Sequence, residues 1–197
     1  RLQNERPGSR ICGIQTMPKT PGKCPAIQKV PGAGIRPYNG SGIGDEIIML
    51  EIGIHGLPVT LPQEVYSNLG TGALNGYPQF NMNNRDKHYY KRVFTGCVRA
   101  VDFIYNLPGF DGNTVGVTGG SQGGALSIIT TGLDFRIKFL AAYYPAMFDY
   151  ACYLNNRAGG WPHHYRYAKP QPNEVETQAH FDVVNFAKRV RVPGWYS

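Results

Sequence analysis

The sequence predicts an α/β fold, a mostly parallel sheet with helices on both faces, formed by residues 1–197 as a single domain. Three observations carry that prediction. Ile47–Ile54 is a nearly continuous apolar run, as expected of a strand buried on both faces of a parallel sheet. Tyr89–Leu107 places Val93, Cys97, Val101 and Ile104 at helical spacing and stops at Pro108-Gly109. Val115–Thr118 is a β-branched run that ends on glycines and passes straight into a helix from about Gly123 to Thr131.

The remaining elements follow in chain order. Arg10–Met17 alternates loosely and ends in the turn Pro18-Lys19-Thr20-Pro21-Gly22, and Pro25–Val30 is a short strand leading into Pro31-Gly32-Ala33-Gly34. Gly56–Asn84 is rich in Pro, Gly and Asn and reads as a long surface excursion. After the helix ended by Gly132, Ile137–Tyr143 is another strand, closed by Pro145. Residues 146–175 are irregular and aromatic-rich and read as a lid or insertion. Glu176–Arg189 reads as one helix, and Val190–Tyr196 begins a further strand. No internal repeat is visible.

Composition narrows the function classes. A chain of 197 residues with 42% hydrophobic and 17% charged residues builds one ordinary core. No apolar run approaches the ~20 residues that span a bilayer, so no membrane partner is expected. The polar start Arg1-Leu2-Gln3-Asn4-Glu5 is no secretory signal, and the chain reads as a mature product or an excised piece. Its compartment stays open, secreted or periplasmic against cytoplasmic. The net charge of +7 is dispersed; its densest clusters, Arg85–Arg92 and Lys188–Arg191, sit in no nucleic-acid motif and read as solvated faces. An acidic polysaccharide surface is the other use for that charge. Cys12, Cys24, Cys97 and Cys152 are widely spaced without CxxC; they permit disulfides without implying them, and Cys97 reads as core. No zinc motif occurs, and Pro31–Gly34 and Gly40–Gly44 lack the lysine and spacing of a phosphate loop, so no metal or cofactor is expected.

The chemistry concentrates in Val115-Gly116-Val117-Thr118-Gly119-Gly120-Ser121-Gln122-Gly123-Gly124. Gly119-x-Ser121-x-Gly123 matches a nucleophile elbow, the strand-to-helix turn that lifts a serine hydroxyl above a sheet. Side chains at the flanking glycines would collide with the strand and the helix. Ser121 is the candidate nucleophile, and the Gln122 backbone N–H, at the N-terminus of the following helix, is a candidate oxyanion donor. A Gly-rich structural turn without catalysis is the bland reading of the same residues. With the elbow in place, the sheet is of the α/β-hydrolase type.

These residues resemble the acetyl xylan esterase and cephalosporin C deacetylase family of α/β-hydrolases. The resemblance runs along essentially the whole chain. It is most specific in Tyr89-Tyr90-Lys91-Arg92, in the elbow segment, and in Phe181-Asp182-Val183-Val184-Asn185-Phe186-Ala187 followed by Val190–Pro193. It implies a serine carboxylesterase that removes O-acetyl groups from xylan or xylo-oligosaccharides, with an acetylated carbohydrate as partner and a homo-oligomer as its assembly. The family's His-Gly-Tyr loop falls on Pro31-Gly32-Ala33, which makes the Ala33 N–H the second oxyanion donor and removes a tyrosine wall from the acyl pocket. Its Arg-Gly-Gln falls on His55-Gly56-Leu57. The resemblance places the triad acid after the strand that begins near Val190, with the histidine later still. The sequence stops at Ser197, so both are expected outside these residues and the last strands of the sheet are expected to be missing.

Asp149 with His163, His164 or His180 gives the formal triad order inside the chain and is the competing assignment. His163 and His164 read more simply as aromatic packing or substrate lining in the lid, His180 as a surface residue, and His55 as a structural histidine or a pocket wall. Trp161 offers a face for a sugar ring, or merely packs. Two other functions share these features: a prolyl-oligopeptidase-type serine peptidase, and a non-catalytic fragment or sugar-binding remnant.

Overall fold

A computed structural model of the chain describes residues 2–4, 8–38, 40, 44–158, 160–166 and 169–197. In chain order the elements are β1 (Leu2–Gln3), β2 (Arg10–Thr16), β3 (Cys24–Lys29), β4 (Ile48–Gly53), α1 (Gln63–Thr71), α2 (Tyr89–Tyr105), β5 (Phe110–Gly120), α3 (Gln122–Leu133), β6 (Ile137–Tyr143), α4 (Pro172–Phe181), α5 (Val183–Ala187) and β7 (Gly194–Tyr196). Single 3-10 turns lie at Tyr77–Gln79 and Tyr150–Asn155.

Among the described residues the strands form one sheet in the order β1-β2-β4-β3-β5-β6-β7. β2 runs antiparallel to β1 and β4, while β3, β4, β5, β6 and β7 pair in parallel. The crossovers are helical wherever β5 is approached or left, so β5 sits centrally and its C-terminal end meets the start of α3. This is the expected mixed, mainly parallel α/β architecture.

Burial explains the local choices. All six residues of β4 are buried, which is why its sequence runs apolar without alternation. α2 buries Val93, Phe94, Cys97, Ala100, Val101 and Ile104 along one stripe. Gln28 of β3 faces that helix and donates from its side-chain amide to the Cys97 carbonyl at 3.0 Å. α3 is buried from Gln122 through Gly132, a helix enclosed on all sides. Its hydroxyls survive there by bonding back along the helix: Ser127 to the Gly123 carbonyl, Thr130 to Leu126 and Thr131 to Ser127, at 2.8, 2.6 and 2.8 Å. On the other face of the sheet Phe139, Tyr143 and Trp195 stay exposed, with the Tyr143 and Trp195 rings 4.8 Å apart.

Three expectations need correction. The excursion Gly56–Asn84 contains α1 and the 3-10 turn at Tyr77–Gln79. α1 buries Tyr66 alone, so no apolar stripe marks it; Tyr66 locks the entry by donating to the Pro58 carbonyl at 2.6 Å. The single helix at Glu176–Arg189 is two helices, α4 starting earlier at Pro172 and α5 starting after a break at Asp182. Asp182 is extended (φ −65°, ψ 128°) and its carboxylate accepts from the Val184 N–H, capping α5. The last strand is only Gly194–Tyr196. All four cysteines are free.

Candidate active site

Ser121 follows β5 directly and caps α3 at φ 56°, ψ −120°, a backbone region that side-chain-bearing residues rarely adopt. Three backbone hydrogen bonds hold it there. Its N–H donates to the Tyr143 carbonyl at 2.9 Å, and its carbonyl accepts from Ala125 and Ala146, both at 3.1 Å. The glycines beside it are demanded by neighbouring backbone. A Cβ on Gly119 would lie 2.6 Å from the Val30 carbonyl oxygen, one on Gly123 2.5 Å from the same atom, and one on Gly124 2.7 Å from the Tyr143 oxygen. Small residues let the end of β3, the elbow and the root of segment 146–166 close on one point.

The loop after β3, Pro31–Gly34, lies against the elbow, with Pro31 buried and Ala33 exposed. The Gln122 side chain is 2% exposed and reaches across to this loop. Its Nε2 donates to the carbonyls of Pro31 and Gly32 at 3.5 and 3.4 Å. Its Oε1 accepts from the hydroxyls of Tyr77 and Tyr90 at 2.9 and 2.8 Å. Tyr77 in turn accepts from the Gly34 N–H at 3.3 Å.

His55, just past β4, closes the loop from the other side. Its Nε2 lies 3.2 Å from the Gly34 carbonyl oxygen and its Nδ1 2.7 Å from the Tyr89 hydroxyl. A carbonyl can only accept, so Nε2 carries the ring proton and Tyr89 donates to Nδ1. Burial lowers the His55 pKa, helped by the Arg92 charge and opposed by the bond to Gly34. Burial pushes Tyr89 up to about 12, raises Tyr77 and holds Tyr90 well above the usual phenol range. His55 and the three tyrosines are therefore neutral at pH 7, and the charge beside the loop is that of Arg36, which donates to the Ala33 carbonyl at 3.3 Å, and of Arg92 over the Tyr89 ring.

The other sequence-selected residues lie elsewhere. Trp161 is 61% exposed and meets the His163 ring edge-on at 5.1 Å; its carbonyl accepts from the Met147 N–H, one residue beyond the contact to Ser121. His163 also packs against Tyr153, and His164 stacks on Tyr150 with its Nδ1 3.2 Å from Gln79 Nε2. His180 is exposed, 3.4 Å from the Arg85 guanidinium. Asp149 pairs with Arg157 at 2.8 Å. The fifth histidine, His88, is 1% exposed and sits 3.0 Å from the Phe80 carbonyl oxygen through Nδ1. Among the described residues no imidazole hydrogen-bonds to Ser121. A cavity of about 390 Å³ opens between the 3-10 turn at Tyr150–Asn155 and α4–α5, bordered by Asp149, Arg157, Gln178 and Asp182, and Ser121 does not line it.

Two contributors escaped the sequence reading. The Gln122 side chain was visible only as a polar residue opening an otherwise apolar helix. Tyr77 gave no signal, because it stands in a stretch whose composition reads as loop.

Comparison with known proteins bears directly on this elbow. The family model described as Acetyl xylan esterase (AXE1) matches residues 63–197, more than half of the chain and the part that includes Ser121. The chain belongs to the acetyl xylan esterase family. It is 44% identical over 191 residues to the acetyl esterase Axe7A of Xylanibacter ruminicola, covering 93% of this chain and 44% of that protein. Solved acetyl xylan esterases from Paenibacillus sp. R4 and Thermoanaerobacterium sp. JW/SL YS485 share the fold, each with a TM-score of 0.73 at 24% identity, covering 96% of this chain and 64% of theirs. The chain thus spans under half of its curated relative and under two thirds of these solved structures. The fold is that of the α/β hydrolases.

Proposed function

We propose that Ser121 is the nucleophile of a serine carboxylesterase that removes O-acetyl groups from xylan or xylo-oligosaccharides. The observation that carries this reading is the strained Ser121 backbone at the junction of β5 and α3, with the Pro31–Gly34 loop clamped beside it. The 44% identical acetyl esterase supports the acyl group, and the solved acetyl xylan esterases suggest the sugar.

In this mechanism Ser121 Oγ attacks the acetyl carbonyl and passes its proton to a general base. Negative charge develops on the carbonyl oxygen, which the N–H groups of Gln122 and Ala33 stabilise, at roughly 3 kcal/mol for each donor. Collapse of the tetrahedral intermediate expels the sugar hydroxyl and leaves an acetyl-enzyme; water then releases acetate. The base and its orienting acid are assigned to residues outside 1–197, because among the described residues no imidazole hydrogen-bonds to Ser121. The segment 146–175 acts as a cap, in which Trp161 offers a stacking face to a sugar ring. His55 acts as a brace for the loop, with both ring nitrogens already occupied.

The test is turnover of 4-nitrophenyl acetate and of acetylated xylo-oligosaccharides by the protein as expressed from its gene, with Ser121→Ala in parallel. The expected result is a loss of at least about 10³-fold in the variant. Turnover that survives the substitution overturns the assignment. Faster cleavage of aminoacyl amides than of acetyl esters selects the peptidase reading instead. Oligosaccharide binding without turnover, unchanged in the variant, selects a binding remnant.

A further inference from the structure

We infer that the Gln122 side chain is the positioning residue that aims the Ala33 N–H at the reacting oxygen, and that Tyr77 and Tyr90 set which way its amide faces. The inference rests on the Ser121 reading above and adds a second role to a residue so far used only through its backbone.

The hydrogen-bond partners assign the amide without ambiguity. Tyr77 accepts from the Gly34 N–H, so its own proton is free to go to Gln122 Oε1, and Tyr90 approaches the same oxygen at 2.8 Å. The opposite end faces two carbonyls, Pro31 and Gly32, which can only accept. Turning the amide over would set an oxygen against two oxygens and an NH2 group against two hydroxyls. Gln122, Tyr77 and Tyr90 are 2, 4 and 4% exposed, so water cannot replace a lost partner.

The geometric consequence falls on one peptide plane. The Gly32 carbonyl and the Ala33 N–H belong to the same trans peptide and point in opposite directions. A donor that holds the Gly32 oxygen therefore fixes the direction of the Ala33 N–H. At 3.4 Å this contact is long, and Gly32 leaves the peptide free to rotate if it is lost. The next peptide is held at both its ends, by Tyr77 at the Gly34 N–H and by the Arg36 guanidinium at the Ala33 carbonyl, each at 3.3 Å, and the one after it by His55 at the Gly34 carbonyl. Gln122 thus links the two halves of the oxyanion site, since the same residue contributes its own N–H and orients the other.

The experiment compares Gln122→Met, Gln122→Glu and Tyr77→Phe with wild type and Ser121→Ala, using 4-nitrophenyl acetate kinetics and thermal melting. Gln122→Met keeps the backbone donor and the volume but removes the amide; kcat is expected to fall about 100-fold, as for loss of one oxyanion donor, with KM within about threefold. Tyr77→Phe keeps the ring and lowers kcat about 10-fold through the freed amide. Gln122→Glu supplies a donor to Gly32 only while its carboxyl is protonated. Its kcat is expected to fall as pH rises through that carboxyl's pKa, an alkaline limb absent from wild type and one that loss of packing would not create. The inference is overturned if a folded Gln122→Met or Tyr77→Phe keeps kcat within threefold of wild type, or if Gln122→Glu keeps the wild-type pH profile. If Gln122→Met fails to fold, the other two variants decide. Retained turnover in Ser121→Ala sinks the nucleophile assignment itself, whereas its loss there with full activity in the other variants sinks only the positioning role.

Discussion

Around Ser121, space is rationed atom by atom, and the two kinds of neighbour a new methyl group would meet separate the glycines into strict and lenient positions. At Gly123 an added Cβ would sit 2.5 Å from the Val30 carbonyl oxygen and 3.1 Å from the Pro31 carbonyl carbon, both backbone atoms just past β3, where the Val30 N–H donates to the Thr118 carbonyl at 2.9 Å. At Gly120 the atoms nearest the same Cβ are those of the Tyr144 side chain, from its hydroxyl at 3.1 Å outward, and that residue is 69% exposed and free to swing away. Gly123→Ala is therefore expected to cost more than about 2 kcal/mol and Gly120→Ala less than about 1 kcal/mol, read as the difference in urea-unfolding midpoints at constant m. Equal effects at the two sites would show that the elbow relaxes as a unit. The glycine pattern and the serine were legible in the sequence because backbone crowding leaves a compositional trace. The Gln122 side chain left almost none, since its partners Tyr77 and Tyr90 stand 45 and 32 residues away and a hydrogen bond across such a gap has no local period.

Among the elements, the break between α4 and α5 shows how one carboxylate can organise a segment that lacks regular structure. Asp182 accepts from the N–H groups of Asp149 and Tyr150 at 3.1 and 3.0 Å and from Val184 at 3.0 Å. It ties the root of segment 146–166 to the start of α5, and the Val183 N–H adds a bond to the Met147 carbonyl at 3.1 Å. Asp182→Ala leaves three donors unpaired and is expected to destabilise the fold by about 2 kcal/mol or more. Limited proteolysis should then cut first between residues 150 and 166. Asp182→Asn retains an acceptor oxygen and should recover part of the loss; a variant pair with no difference from wild type would remove Asp182 from this role. In the sequence Phe181–Ala187 reads as an uninterrupted helix, because aspartate is tolerated on an exposed helix face and the three donors that pull it out of line come from elsewhere in the chain or from the turn it creates.

For the molecule as a whole, the buried His88 and the half-buried His55 and His164 set the acid limit. Burial lowers the pKa of His55, His88 and His164 below the ordinary 6.5. His88 and His164 each keep an Nε2 without a partner, and the charge of one disfavours charge on the other. All three are neutral in the folded chain, whereas the unfolded chain takes up protons near pH 6.5. Unfolded protein therefore binds more protons below that pH, so the stability these groups contribute is complete above about 6.5 and is lost as pH falls toward their folded values. The melting temperature should decline between pH 7 and pH 5, and His88→Gln should flatten that decline. A slope unchanged by the substitution would assign the acid sensitivity to other groups.

By itself the sequence determined the α/β class, the order of the main strands and helices, and the serine at the β5–α3 junction. Each of these is written in local patterns of period, glycine and β-branching that a short window contains. The tertiary structure alone decided that α1 exists, that the helix after Pro172 breaks at Asp182, and that Gln122, Tyr77, Tyr90 and His55 converge on one four-residue loop. Those features depend on hydrogen bonds and burial between residues far apart in the chain, and such contacts are created only when the sheet brings the ends of β3, β4 and β5 together.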